Sequence, residues 1–187
     1  GDLSLVETRD AIFQAVDKEC SDCQLGLMVH NAGLYVGVTS GDTSDGYKPV
    51  ELQFGNGSLL DDNGRLQTDT MRYYQKLYGE AYIDLCERSL ARMRTYDDKF
   101  RGCLVGISSP GCNILQRPML GYSMPSSGKC IMEHTSRLFA QSAASNGVNC
   151  NVIIPGVTET EAWVKLAESR GGKSDDLLNR VAKSVPY

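Results

Sequence analysis

Three short apolar runs, residues 25–29, 103–107 and 148–154, the last broken by Asn149 and Asn151, constrain this chain more than any other feature. Each is bounded by glycine, proline or polar residues and is shorter than a helix that could bury a face. Strands apolar at consecutive positions, not alternate ones, are the habit of parallel sheets buried on both sides. Helical patterns separate them. Ser4 and Glu7 form a capping-box signature ahead of Val6, Ile12, Phe13 and Val16, which predicts a helix over about 5–18. Residues 73–94 place Leu77, Ala81, Leu85 and Leu90 on one helical face. Residues 128–145 read as another helix closed by Asn146-Gly147, and further helical regions are expected over 160–168 and 175–184. The alternation predicts the α/β class: a doubly wound, Rossmann-type parallel sheet with helices on both faces, in one domain spanning 1–187. Only residues 37–69 break the rhythm. Gly55-Asn56-Gly57 and Asp62-Asn63-Gly64 give that stretch turn chemistry, and so long a loop in a compact domain is expected to be functional or a contact surface.

Composition removes several classes of function. Nineteen basic against 23 acidic residues, a net charge of −4, argue against nucleic acid or an anionic membrane surface, both of which need clustered Lys and Arg. No apolar run is long enough to span a bilayer. Seven cysteines, an odd number spread through expected helices and strands, read as free thiols of a reducing, intracellular compartment. Cys20 and Cys23 form one C-x-x-C without the second ligand pair that zinc needs, so two thiols at a helix end are expected and no metal site.

Beyond the strands lie short motifs. His30-Asn31-Ala32-Gly33 follows the first apolar run, and Ile107-Ser108-Ser109 closes the second. Tyr122 stands thirteen residues after Ser109, and Pro155-Gly156-Val157-Thr158-Glu159-Thr160 follows the third run. In this order and at these spacings, over essentially the whole chain, they resemble the short-chain dehydrogenase/reductase family. The family's N-N-A-G turn has His30 in its first position. Its P-G-x-x-x-T segment, beside the nicotinamide in the family, is met by Pro155, Gly156 and Thr160. Its structural asparagine falls at Lys76 when Gly79 is matched. Asp2-Leu3-Ser4 is similar to the end of the family's third strand. The resemblance therefore implies that the N-terminal nucleotide-binding third lies upstream of Gly1, with an incomplete Rossmann domain remaining. No G-x-x-x-G-x-G occurs within the 187 residues. Gly55-Asn56-Gly57-Ser58 joins no apolar strand to a helix and reads as a turn.

The family's Tyr-x-x-x-Lys is broken here, because Ser126 stands where lysine would. Counting back from Asn146-Gly147 and Pro155-Gly156 puts Lys129 in the lysine position, followed by Glu133 and Arg137. Tyr122-x6-Lys129 resembles the enoyl-acyl-carrier-protein reductases, a divergent branch of the family. Seven residues are close to two helical turns, so both side chains can face one cleft. Pro125 marks the helix start and leaves Tyr122 on the entry loop. Taken singly, Tyr122 reads as a loop tyrosine, Lys129 as a solvated helix residue and Ser109 as a strand-end cap, while Met124 and Met132 read as packing residues.

The resemblance assigns them roles. Ser109 orients the substrate oxygen, Tyr122 stabilises or protonates it, and Lys129 lowers the phenol pKa and binds the nicotinamide ribose. Asn31, Ala32, Gly33, Lys129, Pro155, Gly156 and Thr160 form the cofactor side. The implied function is NAD(P)-dependent reduction of an enoyl or carbonyl substrate, with the cofactor depending on the upstream segment. The alternative is a non-catalytic accessory or structural subunit of a larger assembly. In both readings a protein partner or an upstream segment is expected to cover the apolar strand at 25–29.

Overall fold

A computed structural model of the chain describes residues 1–21, 23–33, 59–61, 63–93, 102–118, 122–156, 179 and 183. The chain divides into two compact units, one of Gly1–Gly33 with Gly55–Ile154 and one of Leu34–Phe54 with Pro155–Tyr187. The expected helix over 160–168, most of that over 175–184, and Thr160 lie outside the described residues, as does 37–58 of the long loop. In the second unit the Lys183 N–H donates to the Asn179 carbonyl at 3.2 Å.

In the first unit, α1 (Val6–Glu19) leads to β1 (Leu27–His30). Next come α2 (Thr68–Tyr74), a π-helical segment (Gln75–Glu80) and α3 (Ala81–Leu90) in direct succession. Then follow β2 (Gly102–Ile107), α4 (Ser123–Ala143), a 3₁₀ turn (Ala144–Asn146) and β3 (Val148–Ile153). The strands form an open parallel sheet in the order β1-β2-β3, with Leu27 opposite Cys103 and Gly102 opposite Val148. An open parallel sheet flanked by helices is a partial Rossmann-type α/β fold. Two parallel pairings in sequence need crossovers, which α2–α3 and α4 supply.

The core forms where α3 and α4 pack on the sheet. Met28, Leu104 and Cys150 lie abreast across the three strands and meet Tyr82, Leu85, Cys86, Met132 and Phe139. Full burial of each large apolar side chain is worth about 1.5–3 kcal/mol. The polar tip of Tyr82 is satisfied by Ser136 Oγ at 2.7 Å and Cys150 Sγ at 3.2 Å. Leu77, Ala81 and Leu85 are buried on the face their spacing indicates.

Several expectations are corrected. β1 alternates: Met28 and His30 are buried, while Leu27 and Val29 are 57% and 46% exposed. The helices that form the core cover its Met28–His30 side. The apolar stripe of α1 does not set its docking either, since Val6 and Ile12 are exposed. Instead Arg9, buried, donates to Asp84 at 2.6 Å, Glu80 at 2.9 Å and the Leu3 carbonyl at 2.7 Å. Phe13 lies beneath the guanidinium groups of Arg88 and Arg92, which pair with Asp10 and Asp17. The capping box is not formed, because the Ser4 N–H is engaged by Asp2 Oδ1 and Leu5 caps the helix without a side-chain bond. The second helix starts at Thr68, inside the stretch read as loop, and its middle is a π segment that no periodicity announces. α4 starts at Ser123, five residues before 128, with Pro125 in its first turn, where a missing N–H costs nothing. Gly147, at φ 69°, closes the end of that helix as expected.

All seven cysteines are free, with Cys20 and Cys23 exposed at the end of α1. Among the described residues no helix is long and apolar enough to cross a membrane.

Candidate active site

The carboxyl end of β2 is tied down before any functional group is placed. The Ser108 N–H donates to the Ile153 carbonyl at 2.9 Å, and the buried Ser108 hydroxyl donates to Glu133 Oε1 of α4. Ser109, the next residue, is thereby fixed between the strand end and α4. Its Oγ lies 3.0 Å from the Tyr122 hydroxyl and 3.0 Å from Lys129 Nζ. Tyr122 caps α4, accepting the Ser126 N–H on its carbonyl at 3.0 Å, and Lys129 follows two turns along. The three residues predicted as catalytic therefore meet, with Ser109 in the middle.

Lys129 is buried. Nζ also donates to the Ile107 carbonyl at 3.3 Å and sits 4.9 Å above the Tyr78 ring, in cation–π range. Burial pushes its pKa down, against the pull of the nearby Cys112 and Glu133. Burial pushes the Tyr122 phenol up to about 12, while the hydrogen bond from Ser109 works the other way. The family resemblance implies that Lys129 lowers the phenol pKa electrostatically. Lys129 donates to Ser109 and Ile107, and the serine hydroxyl links it to Tyr122. With Lys129 donating to Ser109 Oγ, the serine's own proton is free to point at the phenolic oxygen. That polarised hydroxyl pair can stabilise negative charge arising on an oxygen between Ser109 and Tyr122.

Asn31, Ala32 and Gly33 are exposed just beyond β1. A Cβ on Gly33 would come within 3.2 Å of the Tyr78 hydroxyl, so this turn lies against the tyrosine that underlies Lys129. Pro155 and Gly156 are exposed in the second unit. Lys76, matched to the family's asparagine, is also exposed.

Four further residues contribute beyond those expected to be catalytic. Glu133 anchors Ser108, and Tyr78 supports Lys129. Cys112 is buried close enough to raise the phenol, and its own thiol is pushed up to about 11. His30 is buried at the end of β1. Glu133 lies four residues after Lys129, a helical spacing that points it to the same face, whereas Tyr78 carries no such local signal.

No family model and no curated protein matches this sequence. The fold, however, is that of known reductases. A short-chain dehydrogenase from Streptomyces avermitilis superposes with a TM-score of 0.59 at 20% identity, over 86% of this chain and 47% of that one. The NADH enoyl-[acyl-carrier-protein] reductase of Aquifex aeolicus gives 0.60 at 19% identity, over 86% and 52%. The L-sorbose reductase of Gluconobacter frateurii, solved with NADPH and L-sorbose, gives 0.62 at 19% identity, over 98% and 59%. The likeness defines a Rossmann-type α/β fold, here in part. This chain spans about half the length of these structures.

Proposed function

We propose that these residues are the catalytic portion of a short-chain dehydrogenase/reductase-type, NAD(P)-dependent oxidoreductase that reduces an enoyl or carbonyl substrate. The observation that carries this reading is the single Ser109 hydroxyl held at 3.0 Å by both Tyr122 and Lys129. It stands at the carboxyl end of a parallel strand, where Rossmann-type sheets bind their ligands. When bound, a nicotinamide dinucleotide would supply the hydride. The donor set suits its sugar-and-nicotinamide half: Lys129 offers N–H groups to a ribose, and the exposed Asn31–Gly33 backbone leaves room for close approach. No residue here supplies the glycine-rich loop for the pyrophosphate. The roles of Pro155, Gly156 and Thr160 rest on the sequence motif alone. In turnover Tyr122 donates its proton, or a strong hydrogen bond, to the substrate oxygen as negative charge develops there. Ser109 holds that oxygen in place, and Lys129 biases the serine.

Calorimetry tests the cofactor. The native protein is expected to bind NADH or NADPH at micromolar concentrations, whereas the 187 residues by themselves are not. Binding by neither preparation removes the oxidoreductase reading, and micromolar binding by the isolated chain removes the need for a separate phosphate loop.

A second reading, a structural subunit keeping the reductase fold, is favoured by a separate observation. On β1, at the edge of the described sheet, Leu27 and Val29 are largely exposed. An apolar parallel edge without charge or proline is a template for pairing. We expect another strand, aligned parallel to it, to cover this edge in native material. Hydrogen exchange across residues 27–30 should then be slow, and fast exchange in a stable monomer would refute the covering strand.

A further inference from the structure

We propose that His30 is a positioning residue that holds the π segment of the long helix in place and so sets Tyr78 beneath Lys129. The inference rests on the oxidoreductase reading for its functional meaning but not for its geometry.

A π turn is an uncommon insertion in an α-helix and needs support from outside the helix. Here α2, the π segment and α3 run without a break, and a polar group from the sheet meets the widened turn. His30, the last residue of β1, is 1% exposed, and its Nε2 lies 3.0 Å from the Leu77 carbonyl in the middle of the π segment. A carbonyl only accepts, so Nε2 carries the proton. Nδ1, buried and without a hydrogen-bond partner among the described residues, is then the bare nitrogen of a neutral ring. Burial pushes the imidazole pKa down and the positive charge of Lys129 adds to the depression, while the bond to Leu77 and the ring's interaction with its own backbone oppose it. A second cation beside Lys129 is thus avoided, and the ring can act as a fixed donor at neutral pH.

The ring also braces the side chains on either side of the turn. It meets Tyr78 edge-on at 6.4 Å and Tyr82 at 6.1 Å. Tyr78 in turn stacks on Tyr74 at 6.0 Å and presents its ring to Lys129 Nζ. A continuous path therefore runs from β1 through His30 to the Leu77–Tyr78 turn, to Lys129, and on to Ser109 and Tyr122. His30 touches none of the last three by hydrogen bond. Its effect on chemistry is indirect, through where the lysine sits and how dry it is.

Two variants and one wild-type measurement test this in the native protein. His30→Leu fills the space but removes the N–H. His30→Gln restores an amide N–H at similar reach. Lys129 is followed by carbon-13 NMR of its Cε in protein labelled with carbon-13 lysine, a readout that needs no substrate. In His30→Leu the Lys129 midpoint is expected to rise by about one pH unit towards the ordinary lysine value as the amine gains water, and to return in His30→Gln. The alkaline limb of the pH profile for reduction should move with it. Nitrogen-15 NMR of the unmutated protein, which does not depend on the variants folding, should show His30 neutral with the proton on Nε2. A charged ring, a proton on Nδ1, or a Lys129 midpoint unmoved in a folded His30→Leu protein overturns the inference. If the Lys129 shift and its rescue appear in a protein without reductase activity, the inference stands and the proposed function falls. If activity is present and the Lys129 midpoint stays put, the reverse holds.

Discussion

Gly128→Ala is expected to destabilise this protein by at least about 3 kcal/mol, lowering its melting temperature by roughly 6–12 °C. A Cβ at Gly128 would stand 2.1 Å from the Tyr74 carbonyl oxygen, 2.8 Å from its carbon and 3.1 Å from Tyr78 Cβ. The first two are backbone atoms at the junction of α2 and the π segment, so no rotamer change relieves the overlap. Either α4 must retreat from that helix or the π turn must shift, and both moves disturb Tyr74 and Leu77, which are buried. Helix propensity works in the opposite direction, since alanine is favoured over glycine by about 1 kcal/mol inside a helix. The steric term wins because interiors are packed too densely to absorb a methyl against backbone. Gly26→Ala is the control. A Cβ there meets nothing within 4 Å, so its effect should stay within about 0.5 kcal/mol. Thermal melts of the two variants decide the matter, and equal melting temperatures would mean that α4 does not approach Tyr74 so closely. Because Lys129 is the next residue, Gly128→Ala should also loosen the active site in whatever fraction remains folded.

How much of this could be read beforehand depended on how far apart the interacting residues lie. The strands at 103–107 and 148–154 were legible to within a residue or so, but only β2 is covered along nearly its whole length, whereas β3 alternates, with Asn149, Asn151 and Ile153 exposed. β1 was legible as a strand but not in its exposure, which depends on what covers each face and not on its own residues. Arg9 was invisible: a charged residue is expected outside unless paired, and its partners Asp84 and Glu80 lie more than seventy positions away. The π segment was invisible for a related reason. Gln75–Glu80 has ordinary helical composition, and what holds the insertion comes from β1 and α4. Ser4 and Glu7 show the opposite failure, a genuine local signal defeated because Asp2, two residues away, offered the Ser4 N–H a carboxylate oxygen first. Ser109, Tyr122 and Lys129 are each unremarkable in isolation. Motif order and register picked them out, and only the structure showed that the serine stands between the other two. The link from His30 to Lys129 runs through a backbone carbonyl, which carries no side-chain identity for a sequence to display.

Tyr122→Phe is expected to lower the turnover of substrate reduction by about two or more orders of magnitude with little change in stability. The substitution keeps the ring that packs at the head of α4 and deletes the hydroxyl that lies 3.0 Å from Ser109 Oγ. What is lost is the proton, or the hydrogen bond, offered to oxygen as charge arrives there. Lys129→Ala should be comparably severe, since it releases Ser109 from one of its two partners and leaves Ile107 without the ammonium. Ser126→Ala should be mild: its hydroxyl donates to the Ser123 carbonyl within the first turn and reaches no member of the triad. The pH dependence follows from the opposed shifts of the two groups. Tyr122, raised to about 12, keeps its proton throughout the neutral and mildly alkaline range, so reduction should not fail there for want of a donor. Lys129, lowered, loses its charge earlier than an ordinary lysine would, so the alkaline loss of reductive activity should set in below about 10.4 and should report Lys129. Oxidation in the reverse direction needs the phenolate, so its phenol-dependent limb should climb with pH towards about 12. Steady-state kinetics of the native protein and the three variants from neutral to alkaline pH provide the check. A damaging Ser126→Ala beside a silent Lys129→Ala would move the lysine role off Lys129. A full-rate Tyr122→Phe would take the proton donor away from the head of α4.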